Sequence, residues 1–374
     1  MEKELLSLIA LNSILDCAPA KILSFIEYFG SAQNFLTADI GFLKSQFDIS
    51  SNVAKKIENL SDFTFSYKEI ETAQKNNIDI ITYKDKRYPK RLKDIGDYPL
   101  ILYVKGSISE NDMNSVSVVG TRNPTNYGIS VTEKFCKYFA KHSITTISGL
   151  ARGIDAQTHK ITLENSGRTI AVLGNGLLQY YPAENRKLQD KVADNGALIS
   201  EFSLNQRALP VNFPRRNRIV AGLSLATLVV EAAKKSGSLI TAHLACEYGK
   251  DVFAVPGSIC SRYSQGPNNL IKQGAFVATE PEDIINVVTE FSVKIKKEIT
   301  EKKQNNEDQK LTFLPKDSIN ILKMIQSSAN GIALDKISAL SKIDISKLSG
   351  ILVDLEINGF VKTMPGQVYI AISN

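Results

Sequence analysis

Paired cysteines, long apolar runs and the usual glycine-rich nucleotide motifs are all missing from this sequence, and each absence removes a class of protein. Cys17, Cys136, Cys246 and Cys260 are widely spaced, with no CxxC pair and no zinc-like cluster with His142, His159 or His243. Reduced thiols in a cytoplasmic protein are the simplest account. No uninterrupted run of about 20 apolar residues exists to span a bilayer. The apolar part of the amino-terminal MEKELLSLIALNSI is too short, and charged too early, for a signal peptide. A soluble intracellular protein with no membrane partner is expected. GxGxxG is absent, because GTRNPTNYG and GNGLLQYYP both break its spacing. So is GxxxxGK followed by Ser or Thr, which argues against P-loop ATP hydrolysis. No cofactor and no metal site is expected.

What is present is an ordinary globular composition. At 374 residues and 43% hydrophobic, the chain can form two or three domains with a core that needs no covalent staples. A formal charge of +6 is mildly basic and compatible with a nucleic-acid partner.

Residues 1–75 read as a small all-helical module. LLSLIALNSIL has apolar residues at three- and four-residue steps, and Pro19 opens a second helix that Gly30 ends. The module is of helix-hairpin-helix or sterile-alpha-motif type. Its second hairpin, FDISSNVAKKI, lacks the glycines that let a backbone grip a phosphate, so packing is favoured over DNA contact. From Asn77 to Gly106, two extended apolar runs flank a basic turn and predict a strand pair.

Between Ser115 and Ile285 strands and helices alternate. The strands are expected at 115–119, 144–148, 168–173, 197–202, 226–232, 251–256 and 275–279. Short β-branched strands alternating with helices predict an extended Rossmann-type parallel sheet covered on both faces, over residues 76–290. A charged linker, 291–314, follows. Residues 315–374 hold three amphipathic segments and a ribbon turning at Pro365-Gly366, the pattern of a winged helix. Its six Lys against five Asp or Glu make a weak electrostatic footprint for duplex DNA, so protein contact is equally well supported.

Nearly every strand of the alternating region runs into a glycine-rich or polar turn, and in open parallel sheets ligands bind outside the carboxyl ends of the strands. Among these turns, Leu209 to Ser224 (LPVNFPRRNRIVAGLS) stands out. Arg207, Arg215, Arg216 and Arg218 occur between Ser203 and Arg218 with no acidic residue among them. Pro210 and Pro214 flank Phe213 and predict a stiff loop. An aromatic ring beside several guanidinium groups suits a flexible polyanion with π-faces, which is single-stranded nucleic acid. The Gly120-Thr121-Arg122 turn leads into a helix beginning near Asn126, where free N–H groups take a phosphate that Arg122 can clamp. Ser148-Gly149 with Arg152-Gly153, and Ser236 to Ser238 beside Lys234 and Lys235, repeat the arrangement.

Acid–base hydrolysis has candidates in Asp155, His159, Glu201 and Glu231. Each also has a plainer role. Asp155 caps a helix start, His159 packs, and the two glutamates pair with the arginine-rich segment. No acidic residue ends the second strand of the alternating region, where a dinucleotide ribose would need one.

Taken in order, GTR, SGLARGID, FPRRNRIVAGLS, SGSLITA and the VPGS…GPNNLIKQGA run resemble the DNA-processing protein A family (DprA/Smf) of bacteria. The likeness covers residues 81–285, and the outer segments look like the family's helical module and winged helix. It implies a non-enzymatic protein that binds single-stranded DNA, forms a homodimer, and loads the RecA recombinase onto strands held by single-strand-binding protein during natural transformation. It assigns the DNA pocket to Gly120, Thr121, Arg122, Ser148, Gly149, Arg152, Gly153, Phe213, Arg215, Asn217 and Arg218, with Lys235, Gly237 and Ser238 ranked after them. Thr158, Asn175 and Leu178 depart from the family's usual residues, and none touches the arginine segment. The alternative is a nucleotide-binding or nucleoside-hydrolysing enzyme of the lysine-decarboxylase-like Rossmann type, whose PGGxGT signature is missing here; KKSGSLITA is the nearest stretch.

Overall fold

Nine strands form the main sheet among the described residues. In this computed structural model the described residues are 2–14, 18–47, 49–60, 62–286, 315–328, 331–364 and 366–371. The chain divides into two compact units, Met1–Phe291 and Ser292–Asn374. The linker expected at 291–314 lies outside the described residues.

The first unit opens with six helices: α1 (Glu2–Asn12), α2 (Pro19–Phe29), α3 (Ala32–Leu36), α4 (Ile40–Phe47), α5 (Ser51–Leu60) and α6 (Thr64–Lys75). Gly30 ends α2 with φ of 76°, a left-handed turn that glycine makes at no steric cost. The strand pair follows as β1 (Ile78–Thr82) and β2 (Ile101–Gly106), antiparallel to each other, with β2 antiparallel to β6 (Gly196–Ser200). The division drawn at residue 75 is one of topology, not of packing. Leu8, Ile9 and Leu11 of α1 share one apolar core with Ile101, Tyr103, Leu173 and Leu198. Asn12 Nδ2 also donates to the Glu201 carbonyl at 2.6 Å, fastening the helices to the end of β6.

The alternating region gives β3 (Ser115–Val119), α7 (Asn126–Lys141), β4 (Thr145–Ser148), α8 (Ile154–Glu164), β5 (Thr169–Val172), α9 (Arg186–Asn195) and β6. Then come α10 (Asn212–Leu223), β7 (Ala226–Val229), α11 (Gly237–Glu247), β8 (Asp251–Ala254), α12 (Gln265–Lys272) and β9 (Phe276–Val277). Across the sheet the order is β1-β2-β6-β5-β4-β3-β7-β8-β9, and every pairing from β6 to β9 in that order is parallel. β3 to β7 are buried along their whole length, as strands covered on both faces must be. After β3 the chain winds through β4, β5 and β6. It then crosses back to β7 on the other side of β3. That reversal opens a crevice at the carboxyl ends of β3 and β7.

One element departs from expectation. The segment read as a stiff loop folds from Asn212 as α10. Pro214 lies in its first turn, where no intrahelical N–H bond is lost. Ile219, Val220 and Leu223 pack into the sheet core. At the far end, Lys250 Nζ donates to the carbonyls of Ala221, Gly222 and Ser224 at 2.9, 2.5 and 2.9 Å, satisfying the last acceptors of the helix.

The second unit packs three helices, Lys316–Gln326, Leu334–Ser341 and Ile345–Ile357, around Ile321, Ile325, Ile337, Leu348 and Leu352. Its ribbon is β11 (Val361–Met364) and β12 (Val368–Ala371), joined by a third short strand, β10 (Ile332–Ala333), on the β12 side. Pro365 of the expected turn lies outside the described residues.

Candidate nucleic-acid interface

A cleft of about 580 Å³ opens at the crevice. The β3–α7 turn gives it Gly120, Thr121 and Arg122, and the β4–α8 turn gives Gly149 and Asp155. Phe213, Arg216 and Asn217 come from α10, and Ser236, Gly237, Ser238 and Thr241 from the start of α11. A side cavity of about 40 Å³ shares Arg122, Gly149, Tyr181 and Phe213 and adds Arg152, Gly174 and Asn175. Of the residues that the sequence singled out, these linings hold Gly120, Thr121, Arg122, Gly149, Arg152, Phe213, Asn217, Gly237 and Ser238.

Ser148, Gly153, Arg215, Arg218 and Lys235 lie outside them, for distinct reasons. Ser148 is buried and donates from Oγ to the Val118 carbonyl at 2.7 Å. Gly153, with φ of 77°, lets the second turn close onto the first, since a Cβ there would run into the Thr121–Arg122 backbone. Lys235 is exposed on the β7–α11 turn, beside the lining residues Ser236 and Gly237. Arg215 and Arg218 face the other way. Arg218 is 4% exposed and bonds Glu201 at 2.5 Å and Asp97 at 3.2 Å, while Arg215 lies 3.3 Å from the same Glu201 carboxylate. These two arginines build a buried ionic cluster beneath α10, so the assignment of Arg218 to a DNA-facing surface is corrected.

Arg216 takes the place they were given. Its guanidinium is buried in the floor of the cleft, with Nη1 donating to the Gly149 carbonyl at 2.6 Å and to the Val172 carbonyl. Gly149 is required here, because any Cβ would overlap that guanidinium. Burial lowers the Arg216 pKa to about 10, Asp155 opposing and Arg122 adding to the effect, so the group stays cationic at neutral pH. Above it, the half-buried Phe213 ring has the Arg122 and Arg216 guanidinium carbons 5.9 and 6.0 Å from its centroid. Arg122 is exposed and makes no ion pair among the described residues. The cleft therefore presents an aromatic ring beside two cations, one buried and hydrogen-bonded and one exposed.

The helix ends divide into filled and open. The first turn of α7, expected to receive a phosphate, already holds a carboxylate. Glu231, 2% exposed, accepts from Thr125 N at 2.9 Å and from Thr125 Oγ1 at 2.5 Å. A ligand anion there would have to displace a buried charge from the positive end of a helix. Asp155 likewise accepts from Gly149 N at 3.1 Å, and burial pushes its carboxyl above the ordinary value against the pull of Arg216. Only α11, among the three turns singled out, ends without an acidic cap. Ser236 Oγ accepts from Ser238 N at 3.4 Å, and nothing stands within 4 Å of where a Gly237 Cβ would be.

The four residues considered for hydrolysis are thus committed. Asp155 and Glu231 cap turns, and Glu201 holds Arg218. His159 is fully buried with Nδ1 on Thr169 Oγ1 at 2.7 Å, and burial with Arg216 nearby lowers its pKa to about 3. It is a packing histidine. Glu231 differs from expectation in its partner, which is Thr125 and not an arginine.

Residues 79–289 match the family described as DNA recombination-mediator protein A, and 310–367 the DprA winged helix domain. Protein Smf of Escherichia coli is 37% identical over 81% of this chain and 81% of its own length. The chain belongs to the DNA processing protein A family. DNA processing protein DprA of Bacillus subtilis is 41% identical over 59% of this chain and 74% of its own. Among solved structures, DNA processing protein A of Streptococcus pneumoniae superposes with a TM-score of 0.64 at 32% identity, covering 74% of this chain and 95% of that one. The Helicobacter pylori member gives 0.51 at 29% identity, covering 56% and 96%.

Within this DprA-type cleft, Tyr181, Arg262 and Tyr263 are lining residues that the sequence reading left out. Their signal was available. Tyr181 follows the GNG turn after β5 and Arg262 the PGS turn after β8, both on the carboxyl edge that carries every other lining residue.

Proposed function

We propose that this protein binds single-stranded DNA in the cleft, acting in the cytoplasm as a non-enzymatic homodimeric mediator. Phosphates follow the cations and the open end of α11, and a base stacks on Phe213. In this reading it loads RecA onto strands taken from single-strand-binding protein during natural transformation, as the family resemblance implies. One observation carries the DNA assignment: an aromatic ring flanked by Arg122 and Arg216 in an open crevice at the carboxyl edge. The related Helicobacter pylori protein is described as having a single-stranded DNA binding mode. The capped carboxylates support binding in preference to hydrolysis.

Fluorescence anisotropy of labelled oligo-dT and a matched duplex, titrated across several salt concentrations, tests the proposal. The single strand is expected to bind more tightly, with affinity falling steeply as salt rises. Arg122→Ala should weaken binding and reduce the salt slope by about 0.7, the value of one phosphate contact on a single strand. Phe213→Leu should cost about 1–3 kcal/mol with the slope unchanged, since stacking is lost and charge is not. Equal binding of both oligonucleotides, or a mononucleotide that displaces DNA, would sink this reading; the second result favours the nucleotide enzyme.

A further inference from the structure

We infer that Tyr181 is a second base-stacking face of the cleft, so that the aromatic wall engages two bases of the strand and not one. The inference rests on the single-stranded DNA reading and extends it to a residue outside the arginine segment. Neighbouring tyrosines give the contrast. Tyr180 is committed within the protein: its hydroxyl donates to Asp190 at 3.0 Å, and the Arg186 guanidinium carbon lies 4.6 Å from its ring centroid. Tyr181 has no hydrogen bond among the described residues and is 44% exposed, although it lines both the cleft and the side cavity. A half-exposed aromatic ring of that size at a cavity wall, with no hydrogen bond holding its hydroxyl, is a contact surface for a ligand.

Its geometry says how it would be used. The Tyr181 and Phe213 centroids are 5.4 Å apart with the rings tilted by 40°. A base cannot slip between them, because each stacked face needs about 3.5 Å of separation. Bases therefore stack outside the pair, on the exposed part of each ring, and successive bases take one ring each. Arg152, which shares the side cavity with Tyr181, is paired with Glu184 and so partly neutralised. Arg122 and Arg262, which line the cleft, and the exposed Lys235 beside it make no ion pair among the described residues and remain available to the phosphates.

The absence of tryptophan makes the test direct. In the full-length chain, Tyr181→Trp introduces a sole indole at this position. Titration with unlabelled oligo-dT should quench its emission, with the midpoint that anisotropy gives for labelled oligo-dT on the same variant. Tyr181→Leu should lower affinity roughly five- to a hundred-fold at unchanged salt slope, the range expected for one stacked base. Tyr181→Phe, which keeps the ring, should bind like the parent, and a denaturation midpoint for Tyr181→Leu equal to the parent's shows that its loss of affinity is not misfolding. If oligo-dT binds while the indole emission stays constant and Tyr181→Leu keeps full affinity, the second stacking face is wrong and the cleft assignment stands. If the parent protein binds no oligo-dT, both fall together.

Discussion

Arg218→Met is expected to destabilise the protein by about 3–5 kcal/mol, the cost of leaving a buried charge without its partner. Glu201 is 1% exposed, and Arg218, at 4%, is its close ligand at 2.5 Å. Removing the guanidinium leaves that carboxylate with Arg215 at 3.3 Å as its remaining neighbour, which places the effect toward the lower part of the range. Asp97, more exposed, can turn to water. Chemical denaturation measures the loss directly. The companion variant decides whether the cause is electrostatic: Glu201→Leu combined with Arg218→Met should recover much of the stability, because a matched apolar pair avoids the desolvation of two ions. The salt slope of DNA binding should not move in either variant. A slope reduced by the amount expected for one phosphate, with stability intact, would show that Arg218 reaches the strand and that the cluster opens in solution.

His159→Gln is expected to make the protein less sensitive to acid. Burial holds the His159 pKa near 3 in the folded chain, while the unfolded chain binds that proton at about 6.5. Between these values the unfolded state carries more protons. The stability that the neutral histidine contributes is therefore complete above the unfolded value and lost as pH falls toward 3. From about pH 7 to about pH 4 the loss reaches at most about 3 kcal/mol. Asp155, whose pKa burial raises, acts in the opposite sense over part of this window, so the comparison of variant with parent isolates the histidine. Glutamine keeps a polar group near Thr169 but does not titrate. Denaturation midpoints for both proteins across this range should diverge below about pH 6, the parent falling faster. Parallel curves would mean that His159 is protonated without cost, and that its site is wetter than the packing implies.

Much of this protein was legible in its sequence. Short apolar β-branched runs spaced by helical patterns determine a parallel sheet, because no other arrangement buries both strand faces and both connections. The turns that follow such strands must share one edge. For that reason the sequence pattern alone brings Gly120 to Arg122, Gly149, Phe213 and Gly237 to one edge. Motif order was enough to place the chain in its family.

Which arginine serves the cleft was decided only by the tertiary structure. Two prolines suggested a loop, and in a loop four neighbouring guanidinium groups are equivalent. The burial of Ile219, Val220 and Leu223 makes the segment a helix, and helical spacing then sorts the side chains. Phe213, Arg216 and Asn217 fall on one face and line the crevice. Arg215 and Arg218, three apart on another, meet Glu201 at the end of β6. The same limit applies at the helix ends. Glu231 fills the start of α7 from more than a hundred residues along the chain, a pairing that local sequence does not contain. Strand and helix arise from short-range patterns, whereas the partner of a buried charge is set by which elements the fold brings side by side.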